Sequence, residues 1–248
     1  MNTLDSSVLA DLAPTGVLRV AINFGNPVLA QRDMSGNPAG VSTQLAKALA
    51  GELNVAIDFV TFDAAGKVFA ALTESAWDLA FLAIEPVRSA EIEFSHPYVI
   101  IEGTYLVHAA SVYQSVAQLD HLGARLAVGK GAAYDLYLSR TLSAAELVRA
   151  PTSAAAVEWF LEQGLEAAAG VRQPLEAFAD KNEGYRVLAD SFTEIRQAMA
   201  VPKGRKAGAE YVRAFLDRKI SSGFVLNALL ASGQGDVRVG PTLNEQRH

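Results

Sequence analysis

The charged residues best placed to do chemistry are Glu85 and Arg88, in the segment Glu85-Pro86-Val87-Arg88. A carboxylate accepts a proton or an ammonium group. A guanidinium grips a carboxylate through paired N–H donors. Their setting adds to their type. Leu79 to Ile84, just before them, is an unbroken apolar run. Such a run, bounded by turn signals, predicts a strand buried on both faces, as in a parallel sheet. Pro86 has no backbone donor and ends the strand. The C-terminal edge of a parallel sheet is where α/β proteins hold small ligands. The alternative is a surface turn with an ordinary salt bridge, since exposed charges are the default.

Further candidates sit at the ends of other predicted elements. Leu18–Ile22 reads as a first strand, and the turn after it is Asn23-Phe24-Gly25-Asn26-Pro27. Asn23, Phe24 and Asn26 either face a ligand there or serve the turn itself. Phe62 ends the β-rich run 55–62, where it either stacks on a ligand or packs in the core. Gly129-Lys130-Gly131-Ala132-Ala133-Tyr134 follows another strand and opens a helix. It is no dinucleotide fingerprint, because Tyr134 occupies the third glycine position. Its free N–H groups, around Gly131, Ala133 and Tyr134, still suit a carboxylate. Arg172 follows the strand predicted over 166–171.

Elements must hold these residues. Leu45, Leu49 and Leu53 recur every fourth residue, so 40–53 reads as a helix with Ser42 or Thr43 as cap. A second helix is expected over 64–75, between strands at 55–62 and 78–84. The order β-α-β-α-β with short connections implies parallel strands and right-handed crossovers. Beyond Tyr98, 99–107 is another β-rich run. Strands then read at 125–128, 147–150, 166–171, 185–188 and 194–201, with helices at 133–142, 154–163 (capped by Thr152 and Ser153) and 174–178. From Lys206 the chain reads as helical, and 234–248 as a polar, loose end. A short leading helix is expected from Leu4 to Leu12.

Composition narrows the class. The chain has 248 residues, enough for one large domain or two lobes with a buried core. Its net charge is -6 and no Lys/Arg cluster is present, which argues against nucleic acid and anionic membrane. There is no cysteine, so thiol catalysis, disulfides and Cys-zinc sites are excluded. The four histidines are scattered without metal-ligand spacing, and no G-x-S-x-G elbow or P-loop occurs. His96 is the one expected to border a cleft. No cofactor is implied. The first sixteen residues lack a basic start and a continuous apolar core of about 7 to 15 residues. Two expectations stay open: a secreted chain whose leader has been removed, or a cytosolic one.

The pattern D-L-x6-P-x-R followed by I-E-F-S-x-P-Y is carried by Asp78, Leu79, Pro86, Arg88, Ile92, Glu93, Phe94, Ser95, Pro97 and Tyr98. It resembles the signature of the family 3 extracellular solute-binding proteins, the amino-acid and polar-solute receptors of ABC uptake systems. Gly40, Leu45, Ala46, Lys47, Leu49 and Ala50 match the family's G-F-x-x-x-L-A-K segment, and the return strand ends in its V-P-K-G. The resemblance runs from about Leu18 to Phe224.

It implies an α/β fold of the type 2 periplasmic-binding-protein kind: two lobes, each a mainly parallel sheet flanked by helices, joined by two crossing strands. Lobe one would hold residues 1–102 and 198–248, and lobe two residues 103–197. The resemblance gives Arg88 the ligand carboxylate. Where the family carries small hydroxyl residues, this chain has Ala83 and Glu85, and Ala132 and Ala133 after the glycine of lobe two. No acid occurs between Ala167 and Leu175, where relatives place the acceptor of the ligand ammonium. Arg172 is the polar residue there and would offer a second cation.

The implied function is reversible binding of a small carboxylate-bearing solute, an amino acid or related polar acid. The binder would be a monomer, with an ABC permease as a possible partner and a periplasmic location if a leader was removed. An amine on the ligand requires Glu85 to face the cleft. If Glu85 instead pairs with Arg88 or points to solvent, a simple carboxylic acid fits better. The alternatives are a cyclohexadienyl-dehydratase-like enzyme on the same scaffold, with Glu85 or His96 as general acid, and a cytosolic ligand sensor.

Overall fold

The computed structural model describes residues 5–245. Met1–Leu4 and 246–248 lie outside that range, so the expected start of the leading helix at Leu4 and the last histidine, His248, do too. α1 (Ser6–Leu12) is capped by Asp5, whose carboxylate accepts from the Ser7 N–H. β1 (Val17–Asn23) follows, then a small hairpin of β2 (Gln31–Arg32) and β3 (Pro38–Ala39). α2 (Val41–Leu53) buries Val41, Leu45, Leu49 and Leu53 as its spacing predicts. Its cap is not a hydroxyl. Gly40 starts the helix at φ 95°, a backbone that side chains resist. The Ser42 hydroxyl instead meets Tyr98 Oη at 3.0 Å, and Thr43 bonds back to the Ala39 carbonyl.

β4 (Ala56–Phe62) leads to α3 (Ala65–Ala70), which tightens into a 3-10 turn through Glu74. The helix expected over 64–75 is therefore half that length. β5 (Leu79–Ala83) is buried at all five positions. β4, β1 and β5 pair in parallel. Pro86 then opens a single turn, α4 (Pro86–Ser89), where its missing N–H costs nothing.

β6 (Ile92–His108) is 17 residues long and includes the whole Ile92–Tyr98 motif. Beyond it, β7 (Arg125–Gly129), α5 (Ala133–Thr141), β8 (Glu146–Ala150), α6 (Ser153–Gln163), β9 (Ala167–Val171), α7 (Arg172–Ala179) and β10 (Tyr185–Val187) build the second lobe. α6 is capped by Thr152, which accepts from the Ala155 N–H, and ends at Gly164 in the left-handed region. α7 starts at Arg172, not at Pro174 as expected. β11 (Thr193–Pro202) returns the chain to α8 (Lys206–Ser221), α9 (Phe224–Ala231) and β12 (Arg238–Val239). The end is less loose than its polarity predicts: β12 pairs with Ile100 and Val99, and Arg238 forms an ion pair with Glu194.

One sheet runs through both lobes in the order β4-β1-β5-β11-β6-β9-β7-β8, with β10 and β12 also pairing β6. β6 and β11 are the antiparallel strands that cross between lobes. On one side β11 pairs with β5; on the other β6 pairs with β9. Their register shifts around Ala198, opposite Pro97. Pro97 has no N–H to give. The Ser95 hydroxyl oxygen accepts the Met199 N–H at 2.9 Å, which keeps that buried donor satisfied.

Asp78 ties the first lobe together. Its fully buried carboxylate accepts from Arg19 Nε at 2.8 Å and Arg205 Nη1 at 2.6 Å, joining β1 to the start of α8. Burial by itself would raise this carboxyl. The two guanidiniums override that and hold it below the ordinary carboxylate range. No helix among the described residues is long and apolar enough to cross a membrane.

Candidate functional site

The C-terminal ends of β1 and β5 face the ends of β7 and β9 across a gap floored by β11. The gap encloses about 40 Å³ of void, room for a few water molecules. Lobe one contributes Asn23, Asn26, Phe81, Ala83 and Arg88 to its wall. Lobe two contributes Gly129, Ala133, Tyr134, Ser153 and Val171, and β11 contributes Ile195 and Gln197. Around this cavity the lobes meet backbone to backbone. A Cβ built on Gly131 would lie 2.8 Å from the Gly66 Cα, and one on Gly66 would lie 2.7 Å from the Lys130 carbonyl oxygen.

Arg88 dominates the cavity. The single turn opened by Pro86 aims it inward, and it is 1% exposed. Nη1 donates to the Ala83 carbonyl at 3.0 Å, and Nη2 donates across the gap to the Gly131 carbonyl at 2.8 Å. The buried Nε–H has no acceptor among the described residues. Burial pushes the guanidinium down to about 10, although Glu85 nearby opposes the shift. It remains a cation at neutral pH. A desolvated cation facing neutral partners favours an anion strongly.

The other expected site residues divide into three groups. Asn23, Asn26 and Ala133 line the cavity; Asn23 Oδ1 also accepts from the Gly25 N–H, so its turn role and its cleft position coexist. Tyr134 lines the cavity but is engaged; Gly131 is engaged as well and lines a neighbouring hollow instead. The Gly131 N–H goes to Asp135 Oδ2 at 2.8 Å, so it is no free donor. The buried Tyr134 hydroxyl meets Ser153 Oγ at 2.7 Å and accepts from the Gly129 N–H. Glu85, Arg172, Phe62, Phe24 and His96 fall elsewhere.

Glu85 bridges the lobes by pairing with Arg140 Nη1 at 2.6 Å and does not line the cavity. Arg172 is turned away from it. Side chains alternate along a strand, and the last residue of β9, Val171, takes the inward position. Arg172 instead bonds Glu102 at 2.6 Å and the Leu188 carbonyl at 3.0 Å. Phe62 packs with Val68 and Trp77 in the lobe-one core, and its open edge lies in a separate hollow with Arg32. Phe24 lies under the Arg32 guanidinium, 3.9 Å from its ring centre, beside a neighbouring groove.

That groove holds about 610 Å³ and borders the cavity, sharing Gly25, Ser153 and Val171 with its wall. Phe24, Pro27, Val157, Leu161 and Phe178 are among its apolar walls, and Asp63 and Glu158 stand on it. Val171, Ser153 and Gln197 are cavity residues that sequence reasoning missed. Ser153 was visible only as a helix cap, and Gln197 only as part of a β-rich crossing.

His96 lies in a different hollow, with Phe94, Arg213 and Pro241, behind the crossing strands and not at the cavity. Neither of its buried ring nitrogens has a partner among the described residues. Burial lowers its pKa, with Asp217 opposing. The unfolded chain therefore binds this proton at higher pH than the folded one, near the ordinary value of about 6.5. Stability should fall as pH drops from there to the lower folded value. Urea midpoints at pH 7.5 and 5.5 should differ less in His96→Leu than in the parent; an unchanged difference assigns the effect to other groups. Among the described residues no group of three or more His, Cys, Asp or Glu is placed to hold a metal ion.

The model of the bacterial extracellular solute-binding proteins, family 3, matches residues 18–228. No curated protein matches the sequence. Several solved structures share the fold. The cysteine-binding protein from Campylobacter jejuni superposes with a TM-score of 0.81 at 20% identity, covering 96% of this chain and 100% of that one. An amino acid ABC transporter substrate-binding protein, AbpA from Streptococcus pneumoniae bound to L-arginine, gives 0.78 at 22%, covering 92% and 98%. The ancestral amino acid-binding protein AncCDT-1, a precursor of cyclohexadienyl dehydratase, gives 0.74 at 24%, covering 89% and 96%.

Proposed function

We propose, since this chain belongs to the bacterial extracellular solute-binding proteins of family 3, that it binds a small carboxylate-bearing solute between its lobes and delivers it to an ABC uptake system. The observation that carries this reading is Arg88: a buried cation in the interlobe cavity with an unpartnered N–H. Lobe one comprises residues 1–102 and 198–248, lobe two 103–197, and the protein acts as a monomer. Ligand binding draws the lobes together about the crossing strands, a hinge motion. Export of the chain and a membrane permease as partner belong to the same reading.

An amino-acid receptor is the family's broad pattern, and relatives in this fold are described as binding L-arginine or L-cysteine. A dehydratase reading needs a placed general acid. Among the described residues no Asp, Glu or His lines the cavity, and Glu85 is held by Arg140. Those observations favour binding without turnover.

Thermal shift against amino acids, dicarboxylates and aromatic acids tests the reading. A ligand at about 100 times its Kd adds about 2.7 kcal/mol, which raises Tm by roughly 5 to 10 °C for a chain of this size. The best ligand should also compact the protein in X-ray scattering. It should fail to compact Gly66→Val, whose side chain would strike the Lys130 carbonyl. Chemical change in the recovered ligand would assign the protein to the enzymes instead.

A further inference from the structure

The charges around the cavity are one-sided. Among the described residues its wall holds Arg88 and Lys130 and no carboxylate. The neutral polar groups there include the amides of Asn23, Asn26 and Gln197. The acids next in sequence to its wall residues on α4 and α5 are already committed. Glu85 pairs with Arg140, and Asp135 accepts from Arg149 Nε at 3.0 Å and from the Gly131 N–H. Neither lines the cavity. At the end of β9 the wall is the isopropyl group of Val171. An ammonium group drawn into this space would lose its water and find no anion, which is costly. A carboxylate would find the Arg88 guanidinium, whose Nε–H is buried and unpartnered.

The second observation is the groove. It borders the cavity, with Gly25, Ser153 and Val171 lining both, and Phe24, Pro27, Val157, Leu161, Leu175 and Phe178 give it a largely apolar wall. A molecule anchored by a carboxylate at Arg88 has this groove as the adjoining space for the rest of its skeleton. The two acids on the groove, Asp63 and Glu158, are exposed, and Asp63 is paired with Lys67 at 2.7 Å.

We propose that the ligand is an apolar monocarboxylic acid without an amino group, its carboxylate on Arg88 and its hydrocarbon tail in the groove. This rests on the binding reading above and departs from an amino-acid ligand. It also resolves the choice that Glu85 left open in the sequence.

The test is calorimetry on the full chain with matched pairs: 4-methylpentanoate against L-leucine, and 3-phenylpropanoate against L-phenylalanine. In each pair the acid without the amine should bind at least tenfold tighter. From butanoate to hexanoate, affinity should rise about fourfold per methylene, the worth of one buried CH₂. Val171→Asp should swing the preference in each pair toward the amino acid by tenfold or more. If that variant does not fold, the parent pairs decide alone. The proposal is overturned if either amino acid equals or beats its partner. Flat affinity along the acid series overturns it too, as does L-arginine outbinding every apolar acid, which would put the ligand's cation on Asp63 and Glu158. In those cases the receptor reading survives, provided that Arg88→Ala abolishes the binding seen. If no carboxylate of any kind binds, the receptor reading itself fails.

Discussion

Arg88→Ala is expected to weaken binding of the best ligand by about 30- to 4000-fold, the equivalent of about 2 to 5 kcal/mol for a desolvated charge pair. The size follows from the site. The guanidinium is buried, so its attraction for an anion is weakly screened. Among the described residues it is also the only arginine at the cavity. Arg88→Lys should recover little, because an ammonium cannot present paired donors in one plane. The protein should still fold. Arg88 carries a desolvation penalty, relieved in the variant, and its two bonds go to the Ala83 and Gly131 carbonyls. Calorimetry measures the affinity, and the unliganded Tm separates a binding loss from a folding loss. A change below threefold at unaltered Tm would remove Arg88 from the site.

Asp78→Asn is expected to lower stability by about 3 to 5 kcal/mol, the cost of removing one partner from a buried ionic cluster. For a chain of this length that corresponds to roughly 6 to 20 °C in Tm. Two guanidiniums lose their anion, and the neutral amide cannot accept from both with the same strength. The effect depends on pH. The folded state holds this carboxyl below its unfolded value of about 3.9, so its stabilising contribution is complete above that value. It is lost as pH falls through the lower folded value. The Tm gap between parent and variant should thus be full at pH 7 and shrink toward pH 2. A gap that is small at pH 7, or constant down to pH 2, would show that the cluster contributes no ionic stabilisation.

What sequence reasoning captured follows from periodicity and chain chemistry. The four-residue spacing of Leu45, Leu49 and Leu53 specifies one buried helix face, and α2 buries it. The run at 79–83 is apolar at every position because β5 lies between two strands with both faces covered. Pro86 can only end that strand and begin a turn, and that turn carries Arg88 inward. These are local rules, and they made the α/β order and the position of Arg88 legible. Thr152 was equally legible as a cap, because its hydroxyl satisfies a donor three residues away.

Pairings between distant residues were not legible, since sequence spacing does not say which side chain meets which. Glu85 and Arg140 are 55 positions apart, and only the apposition of α4 and α5 makes them partners. Arg172 and Val171 differ by one residue, yet β9 points one into the cavity and the other toward Glu102. The hydroxyl of Ser42 looked like a cap until Tyr98 was brought against it from β6. The sequence by itself determined an α/β chain with an arginine at a strand end, because backbone periodicity and proline geometry act over a few residues; the two lobes were implied by the family resemblance. Only the tertiary structure decided that the cavity holds a buried cation and, among the described residues, no carboxylate, because that depends on where each distant acid found its partner.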